Sequence, residues 1–289
     1  MKYRRFRDDI DLSVVGFGGM VVVGMEQADV NSLVDRVIDA GVNYFDIAPQ
    51  YGDGEAEVKL GEALKSHREK IFLACKTLRR DATGAEQELI RSLERLHTDY
   101  FDLYQFHSVS TMEDVEEIFA PGGAIESFVK ARDDGLVKYL GFSSHLEEAA
   151  LDMLNRFKFD SMLFPTNFVC WYEGKFGPAV LKKARELGVR LLGLKSLALR
   201  PWEEEEDQVY PNCWYRPIDS EDLARKAMSF TLLQHVTALV APGDARLADL
   251  AISIASENNF PVVISEEELA GIAADYPPIF SNIDESKQG

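Results

Sequence analysis

The 289-residue sequence is poor in cysteine and contains no long apolar run. Its three cysteines, Cys75, Cys170 and Cys213, are far apart and form no C-x-x-C pair, so neither a disulfide framework nor a thiolate metal site is predicted. No apolar stretch approaches the roughly 18 residues of a membrane-spanning helix, and the charged start MKYRRFRDD is unlike a signal peptide. We therefore expect a cytoplasmic protein with no membrane partner and no metal.

Basic residues are also scarce. Lys and Arg number 31 against 49 Asp and Glu, for a formal net charge of −18. A surface of this sign disfavours non-specific binding to nucleic acids and anionic membranes, so no nucleic-acid partner is expected. Part of the excess lies in the run from Glu203 to Asp207, which is typical of a solvated loop. Nothing in the pattern indicates the oligomeric state.

A G-x-G-x-x-G motif is missing after the first apolar run, which weakens a doubly wound dinucleotide-binding fold. Instead, eight short β-rich runs alternate with segments of helical period. In one such segment Val30, Leu33, Val34, Val37 and Ile38 form an apolar face, and Gly41 is a helix stop. A second segment repeats the period with Leu89, Ile90, Leu93 and Leu96. The runs begin at Val14, Val42, Ile71, Tyr100, Val137, Ser161, Val189 and Thr237.

Alternating strands and helices imply parallel strands covered by helices. Eight such units in a chain of this length predict a single (β/α)8 TIM barrel domain over residues 1–289. The opening RRFRDDIDLSVVG predicts an N-terminal β-hairpin that caps the barrel bottom. Leu199 to Ile218 predicts a long loop after the seventh strand. An open doubly wound sheet is the alternative fold.

Active sites of such barrels lie at the carboxyl ends of the strands. Asp46 ends the second strand, Lys76 the third and His107 the fourth, and Tyr51 lies in the turn after the second. A phenol is too weak an acid for neutral pH, and a nearby ammonium lowers its pKa. Asp46 would hold Lys76 charged, while His107 would orient a carbonyl or relay a proton. Polar residues also end later strands, namely Ser143, Ser144, Asn167, Lys195, Ser196, Gly243 and Asp244.

Each of these residues also has a purely structural explanation. Asp46 would serve as a helix N-cap, Tyr51 as packing, His107 as a satisfied buried polar group, and Lys76 would extend to water. Their occurrence together on successive strand ends favours the chemical interpretation.

The segment FDIAPQYGDGEAEVKLGEAL resembles the signature of the aldo-keto reductase family, a strand-end Asp followed by Tyr-Gly and an acidic residue. IFLACKT resembles the lysine strand of that family, and DYFDLYQFH its histidine strand. KARDDGLVKYLGFSSH resembles the segment leading to the nicotinamide-contacting Ser. The resemblance implies a catalytic tetrad of Asp46, Tyr51, Lys76 and His107, with Tyr51 as general acid. It also implies NADP(H)-dependent reduction of aldehydes or ketones by hydride transfer.

For the cofactor, the resemblance implies that Gly19 and Met20 lie near the nicotinamide and its ribose, close to Asp46. Ser143 and Asn167 would hold the carboxamide, beside Ser144. Leu194, Lys195, Ser196 and Leu197 would line the ring and the pyrophosphate. Arg246 would meet the phosphate of the adenine ribose, near Gly243. Ser144, Asn167, Leu194 and Gly243 depart from the common Asn, Gln, aromatic residue and Lys, respectively. These departures bear on cofactor affinity and on the choice between NADPH and NADH.

Aromatic residues provide candidates for the substrate pocket. Trp171, Trp202, Trp214 and Tyr215 would line an aromatic pocket for the small carbonyl substrate or would pack the long loop. Ser143 and Ser144 have the alternative of capping the next helix, and Arg246 that of a surface helix residue.

Two other functions are consistent with the same barrel. One is a Schiff-base aldolase that uses Lys195 or Lys76 as the nucleophile, although Asp46 would keep Lys76 protonated. The other is a non-catalytic NADP(H)-binding regulatory subunit. The sequence indicates neither the physiological substrate nor the direction of the reaction in the cell.

Overall fold

The computed structural model describes residues 1–204, 206 and 208–282, so Glu205 and Asp207 of the acidic run lie outside the described residues. The chain begins with the predicted antiparallel hairpin, β1 (Tyr3–Arg7) and β2 (Ile10–Ser13). Phe6 and Leu12 are its buried residues, and the ring of Phe6 lies edge-on to Phe72, 5.0 Å between centroids. Because Phe72 begins a barrel strand, the hairpin closes the amino ends of the strands.

Eight parallel strands form a closed barrel, which confirms the predicted fold. They are β3 (Val15–Gly18), β4 (Tyr44–Asp46), β5 (Phe72–Thr77), β6 (Phe101–Val109), β7 (Val137–Ser144), β8 (Ser161–Pro165), β9 (Arg190–Leu194) and β12 (Ala238–Val240). Neighbouring strands follow chain order, and β12 pairs with both β9 and β3. The strands are buried on both faces, which explains their nearly continuous apolar sequences.

Helices cover the outside of the barrel. They are α1 (Gln27–Asp39), α2 (Glu55–Leu64), α3 (Ala82–Arg95), α4 (Met112–Phe119), α5 (Ala124–Asp133), α6 (Glu147–Arg156), α7 (Phe168–Tyr172), α8 (Pro178–Glu186), α9 (Glu221–Leu233), α10 (Ala245–Ala255) and α11 (Glu266–Ala273). The predicted apolar face of α1 is buried except at Ile38, which is partly buried. In α3, Leu89 and Leu93 are buried but Ile90 is exposed. The face of α3 that packs on the strands is therefore narrower than the apolar pattern of the sequence predicts. None of the described helices is both long and apolar enough to cross a membrane.

The loop after the seventh strand carries a second antiparallel pair, β10 (Ala198–Pro201) and β11 (Tyr215–Pro217). Asn212, between these strands, donates to the carbonyl oxygens of Met20 (3.1 Å) and Val23 (3.3 Å). The loop therefore crosses from the end of β9 to the segment after β3, over the carboxyl ends of the strands.

The end of the described chain returns to the same rim. The backbone N–H of Asn282 donates to the carbonyl of Gly174 (2.8 Å). The ring of Phe280 stacks on His145 with centroids 5.3 Å apart and lies edge-on to Trp214 at 5.8 Å. The carboxyl rim of the barrel is thus bordered by two long segments that the strands themselves do not supply.

Candidate active site

A buried ion pair lies at the centre of the rim. Asp46, the last residue of β4, and Lys76, in the adjacent strand β5, are 2% and 1% exposed, and Lys76 Nζ pairs with Asp46 Oδ1. The other carboxylate oxygen accepts from the Tyr44 hydroxyl (2.9 Å) and from Gln105 Nε2 (3.2 Å). Burial alone lowers the pKa of Lys76, but the charges of Asp46 and Tyr51 outweigh it and raise the pKa above its usual value. Lys76 therefore stays an ammonium at neutral pH.

Tyr51 lies in the turn that follows β4, and Lys76 Nζ donates to its hydroxyl at 3.3 Å. Burial raises the pKa of this phenol, Lys76 opposes the rise and Asp46 adds to it, so the pKa ends above its usual value. Lys76 thus lowers the pKa of Tyr51 as expected, but burial has the larger effect and raises it. At neutral pH the phenol is protonated, which is the form a general acid needs at the start of a reaction.

His107 lies near the end of β6, with its ring edge-on to that of Tyr51 at a centroid distance of 5.9 Å. Its Nδ1 is 3.0 Å from Oε1 of Gln50. Burial, and then the positive charge of Lys76, holds the pKa of His107 well below its usual value. The imidazole is therefore neutral at physiological pH and carries one N–H, whose position depends on the partner at Nδ1.

The backbone after His107 is irregular. Ser108 has a positive φ of 52°, and the pairing of β6 with β7 is interrupted between Phe106 and Val109. The guanidinium of Arg80 donates to the carbonyl oxygens of His107 (2.8 Å) and Ser108 (3.1 Å). This contact holds the end of β6 at the position where His107 faces Tyr51.

Three polar residues of the site were not predicted from the sequence: Tyr44, Gln50 and Gln105. Tyr44 and Gln105 precede Asp46 and His107 by two residues, so each shares the barrel-facing side of its strand with a predicted site residue. That alternation is the signal that finds them. Gln50 directly precedes Tyr51, but its contact with His107 joins two different loops and has no local signal.

A cleft opens beside Asp46 and Tyr51 and extends toward Gly243. Tyr51 stands over Gly19, where an added Cβ would lie 3.3 Å from the Tyr51 ring, so the turn depends on the missing side chain. The cleft wall includes three small residues, Gly18, Ala241 and Gly243. Its lining residues are Gly18, Met20, Asp46, Tyr51, Leu194, Lys195, Asn212, Tyr215, Val240, Ala241, Pro242 and Gly243.

Two predicted cofactor residues are engaged in local hydrogen bonds. The backbone N–H of Ser108 donates to Ser143 Oγ (2.8 Å). Ser144 Oγ accepts from the backbone N–H of Leu146 (3.1 Å) and donates to its carbonyl (2.9 Å). The Ser144 hydroxyl thus bonds the backbone of Leu146, the N-cap of α6, and no side chain caps that helix, so the helix-capping alternative for Ser143 and Ser144 is not supported.

Asn167 is similarly engaged. Its Oδ1 accepts from the backbone of Cys170 (3.0 Å) and caps α7, while Nδ2 donates to the carbonyls of Lys195 (2.9 Å) and Ala198 (2.5 Å). The Asn167 amide therefore holds the start of the long loop in place. The buried hydroxyl of Ser196, by contrast, has no hydrogen-bond partner in the described part of the chain.

Lys195 projects between two aromatic rings of the long loop. Its Nζ lies 5.3 Å from the ring centroid of Trp214 and 4.9 Å from that of Tyr215. Burial lowers the pKa of Lys195 to about 8. Among the described residues no carboxylate forms an ion pair with it. Lys195 is thus a cation of the cleft wall without a counter-ion.

The four aromatic substrate candidates separate into two groups. Tyr215 lines the cleft, and Trp214 is 56% exposed beside it. Trp171 instead packs edge-on against Phe230 of α9 at 5.6 Å. Trp202 donates from Nε1 to the carbonyl of Cys213 (2.8 Å) within the long loop. Trp202 therefore packs the long loop, which was the alternative for all four, whereas Trp171 packs against a covering helix.

Arg246, in the first turn of α10, is 63% exposed and is paired with Asp244, the N-cap of that helix. Its guanidinium donates to both carboxylate oxygens, from Nε to Oδ1 (2.9 Å) and from Nη2 to Oδ2 (2.8 Å). It also lies over the ring of Tyr210, 4.5 Å from the centroid. Arg246, the predicted phosphate-binding cation, is thus already paired with the carboxylate of Asp244.

The cleft suits a nicotinamide dinucleotide in several respects. The small residues Gly18, Ala241 and Gly243 leave room for a flat ring, and Lys195 offers a positive charge with no ion-pair partner among the described residues. These features lie beside the Tyr51 hydroxyl, where hydride chemistry would take place. Among the described residues no group of three or more His, Cys, Asp or Glu is arranged to hold a metal ion.

The fold and the site define a (β/α)8 barrel with a Tyr–Lys–Asp cluster at its carboxyl rim. The model of the Aldo/keto reductase family matches residues 14–268, and the chain belongs to that family. Among solved structures, the barrel is similar to an aldo-keto reductase of Bacillus halodurans in its holo form. The TM-score is 0.73 at 24% identity, covering 94% of this chain and 96% of that one. An aldo/keto reductase of Klebsiella pneumoniae in complex with NADP and acetate has a TM-score of 0.67 at 19% identity, covering 97% and 98%.

Curated relatives are similar over shorter stretches. An uncharacterized oxidoreductase, YqkF, of Bacillus subtilis (strain 168) is 34% identical over 148 residues, 47% of this chain and 46% of that protein. The methylglyoxal reductase YeaE of Escherichia coli (strain K12) is 38% identical over 111 residues, 37% of this chain and 39% of its own. The chain thus spans less than half the length of either relative.

Proposed function

We propose that this protein is an oxidoreductase that reduces aldehydes or ketones to alcohols by hydride transfer from NADP(H). The observation that carries the proposal is the protonated Tyr51 phenol, which faces the cleft and accepts a hydrogen bond from the buried Lys76–Asp46 pair. Membership of the family supports the reaction class. The name of the methylglyoxal reductase relative supports a small carbonyl compound as substrate.

When bound, the dinucleotide supplies the hydride. Tyr51 transfers its proton to the carbonyl oxygen, and the Lys76 ammonium stabilises the phenolate left behind. The carboxylate of Asp46 keeps Lys76 charged, and Tyr44 and Gln105 fix that carboxylate. Neutral His107 would donate from Nε2 to the carbonyl oxygen, which requires the Gln50 amide to turn its nitrogen toward Nδ1. Because Asp46 and Lys76 are almost fully buried, water is excluded around them and their electrostatic interactions are stronger than in solution.

For the dinucleotide, we propose that Met20, Leu194 and Gly243 form the walls of its site and that Lys195 pairs with its pyrophosphate. Lining of one cleft by these residues supports the assignment. Gly19 would contribute close backbone approach. Tyr215 and Trp214 would border the substrate side of Lys195.

The test is consumption of NADPH with a reactive carbonyl, such as an activated aromatic aldehyde or an o-quinone, in the intact protein and in Tyr51→Phe. We expect the variant to lose about 10²–10⁴-fold in turnover, the usual contribution of a positioned acid. Its dissociation constant for NADPH should stay unchanged. Tyr104→Phe is the matched control, because it removes a buried hydroxyl that lies outside the cleft. Equal turnover in Tyr51→Phe and the intact protein would disprove the mechanism.

A second function is favoured by one observation. Lys195 lines the cleft, and its pKa is lowered to about 8, as a Schiff-base lysine requires. Lys76 does not suit that role, because its pKa is raised. In an aldolase of this kind the Lys195 amine would condense with a carbonyl substrate and release water. Borohydride trapping of a substrate aldehyde on Lys195 in the absence of dinucleotide, detected by mass spectrometry, would favour this function over the reductase.

A further inference from the structure

Arg246 is already paired with a carboxylate, and this pairing bears on the choice between NADPH and NADH. NADPH differs from NADH only by a phosphate on the adenine ribose, and Arg246 is the residue proposed to meet that phosphate. Discrimination between the two dinucleotides therefore depends on how many donors this residue has left.

The carboxylate of Asp244 already engages the guanidinium of Arg246. Its two oxygens accept from Nε and Nη2, at 2.9 and 2.8 Å, in the fork geometry that an arginine would otherwise offer to a phosphate. Oδ1 also accepts the backbone N–H of Arg246 (2.9 Å), a donor at the amino end of α10. The second N–H of the same Nη2 donates to the carbonyl of Val209 (2.7 Å), so among the described residues only Nη1 of the guanidinium has no partner. The carboxylate thus engages Nε, Nη2 and a backbone donor that would favour another anion at the helix start.

Asp244 is also more buried than its partner. Its side chain is 14% exposed, against 63% for Arg246, so its charge is less screened than that of an ordinary surface aspartate. A phosphate arriving at this position would meet a negative charge held in place by three hydrogen bonds. It would have to displace the carboxylate or bind beside it.

A second guanidinium, that of Arg216, lies over the same Tyr210 ring at 5.8 Å, but it is already paired with Glu206 and Asp219. Gly243 stands where the family commonly has Lys. An added Cβ there would lie 3.0 Å from the Asn212 carbonyl and from Met20 Cβ, so the position has little room for a side chain. The uncompensated Lys195 belongs to the cleft wall near Tyr51, where it serves the parts that NADH and NADPH share.

We infer that Asp244 acts as a built-in substitute for the 2′-phosphate, so that this protein binds NADH and NADPH with similar affinity. The inference rests on the proposed function, since it concerns the same dinucleotide site. It assigns to the Asp244–Arg246 pair the control of cofactor choice, separately from the catalytic tyrosine.

The test measures dissociation constants of NADH and NADPH for the intact protein by isothermal titration calorimetry, without substrate. We expect the two constants to agree within about tenfold, since a tenfold ratio corresponds to only about 1.4 kcal/mol. Asp244→Ser keeps a helix-capping hydroxyl and removes the carboxylate. It should tighten NADPH binding by about tenfold, as expected for a freed charge-assisted pair, and change NADH binding less than about threefold. Asp244→Asn is the second variant and should act in the same direction.

Asp249→Asn is the matched control. Asp249 lies on the same helix and pairs with Arg36 (3.0 Å) instead of Arg246, so the substitution changes the net charge equally without freeing Arg246. It should leave both constants unchanged. Adding Arg246→Ala to Asp244→Ser should remove the gain for NADPH.

Three outcomes would overturn the inference. The first is an intact protein that binds NADPH more than about a hundredfold tighter than NADH, a gap that a strong phosphate contact would supply. The second is an unchanged NADPH constant in both Asp244 variants. Either leaves the proposed function standing. The third is failure of both dinucleotides to bind the intact protein, which would overturn the proposed function as well.

Discussion

The two halves of the barrel rim differ in how their charged groups are paired. In the half formed by β4, β5 and β6, Asp46 has three hydrogen-bond donors and Lys76 three acceptors. In the half formed by β9, β12 and the long loop, Lys195 has no counter-ion among the described residues, and Ser196 has no partner. The first half is organised without any ligand. The second offers unused charge and hydrogen-bonding capacity, which a bound ligand would fill.

The difference follows from what each half has to do. Proton transfer gains from groups that are fixed before the substrate arrives, because no reorganisation is then needed during the reaction. A dinucleotide must enter and leave, so on the proposed function its half of the rim would keep a charge free for it. The Asp244–Arg246 pair lies at the outer edge of that second half.

The largest expected effect comes from breaking the organised half. Lys76→Met leaves the Asp46 carboxylate buried with no cation beside it, and loss of one partner of a buried pair costs about 3–5 kcal/mol of unfolding free energy. Turnover should be lost as well, because the phenolate of Tyr51 has no charge to stabilise it. Urea denaturation and the carbonyl reduction assay measure the two effects.

The matched control for this change is Lys76→Met combined with Asp46→Asn. Removing the orphaned charge should recover most of the stability but none of the activity. A single Lys76→Met protein as stable as the intact one would show that the pair is better hydrated than the structure indicates.

A smaller effect is expected on stability as the pH falls. Burial, and then the charge of Lys195, lowers the pKa of His145 to about 4, against 6.5 for an exposed histidine. Between these values the unfolded chain binds the proton and the folded chain does not. Stability is therefore retained above pH 6.5 and declines toward pH 4, by up to about 3 kcal/mol from this residue.

Denaturation curves at several pH values should show a shallower decline for His145→Gln. The control is His97→Asn, which changes an exposed histidine with a positive φ of 50°, a conformation that asparagine tolerates. A steeper decline in His145→Gln than in His97→Asn would contradict the assignment.

The smallest effect is expected at the contact between the reactive turn and His107. Gln50→Leu removes the partner of Nδ1, so the imidazole should populate both neutral tautomers and reduce turnover by about tenfold, a typical loss for one hydrogen bond of about 1.4 kcal/mol. The ¹⁵N chemical shifts of His107 report the tautomer directly. Gln50→Glu places a carboxylate at the same position, which should raise the pKa of His107 and introduce a pH dependence of turnover. Unchanged shifts in Gln50→Leu would contradict a positioning role for Gln50.

The barrel followed from the sequence because its signals are local. Each buried parallel strand is a short apolar run, and each covering helix repeats its apolar residues at intervals of three and four. Asp46, Lys76 and His107 were found by the same rule, since strand ends converge on one rim. Helical periodicity fails at Ile90, which is exposed. The spacing of apolar residues along a helix does not say how wide a stripe of that helix the neighbouring strands cover.

The sequence by itself determined the eight-unit barrel, the hairpin that closes it, and which side chains reach the carboxyl rim. Only the tertiary structure decided their partners: Gln50 with His107, Asn167 with the long loop, and Asp244 with Arg246. It also decided that burial outweighs Lys76 in setting the pKa of Tyr51. The physical reason is that strand and helix periods depend on neighbouring residues. Hydrogen bonds, desolvation and charge interactions depend on distances between segments that are far apart in the chain.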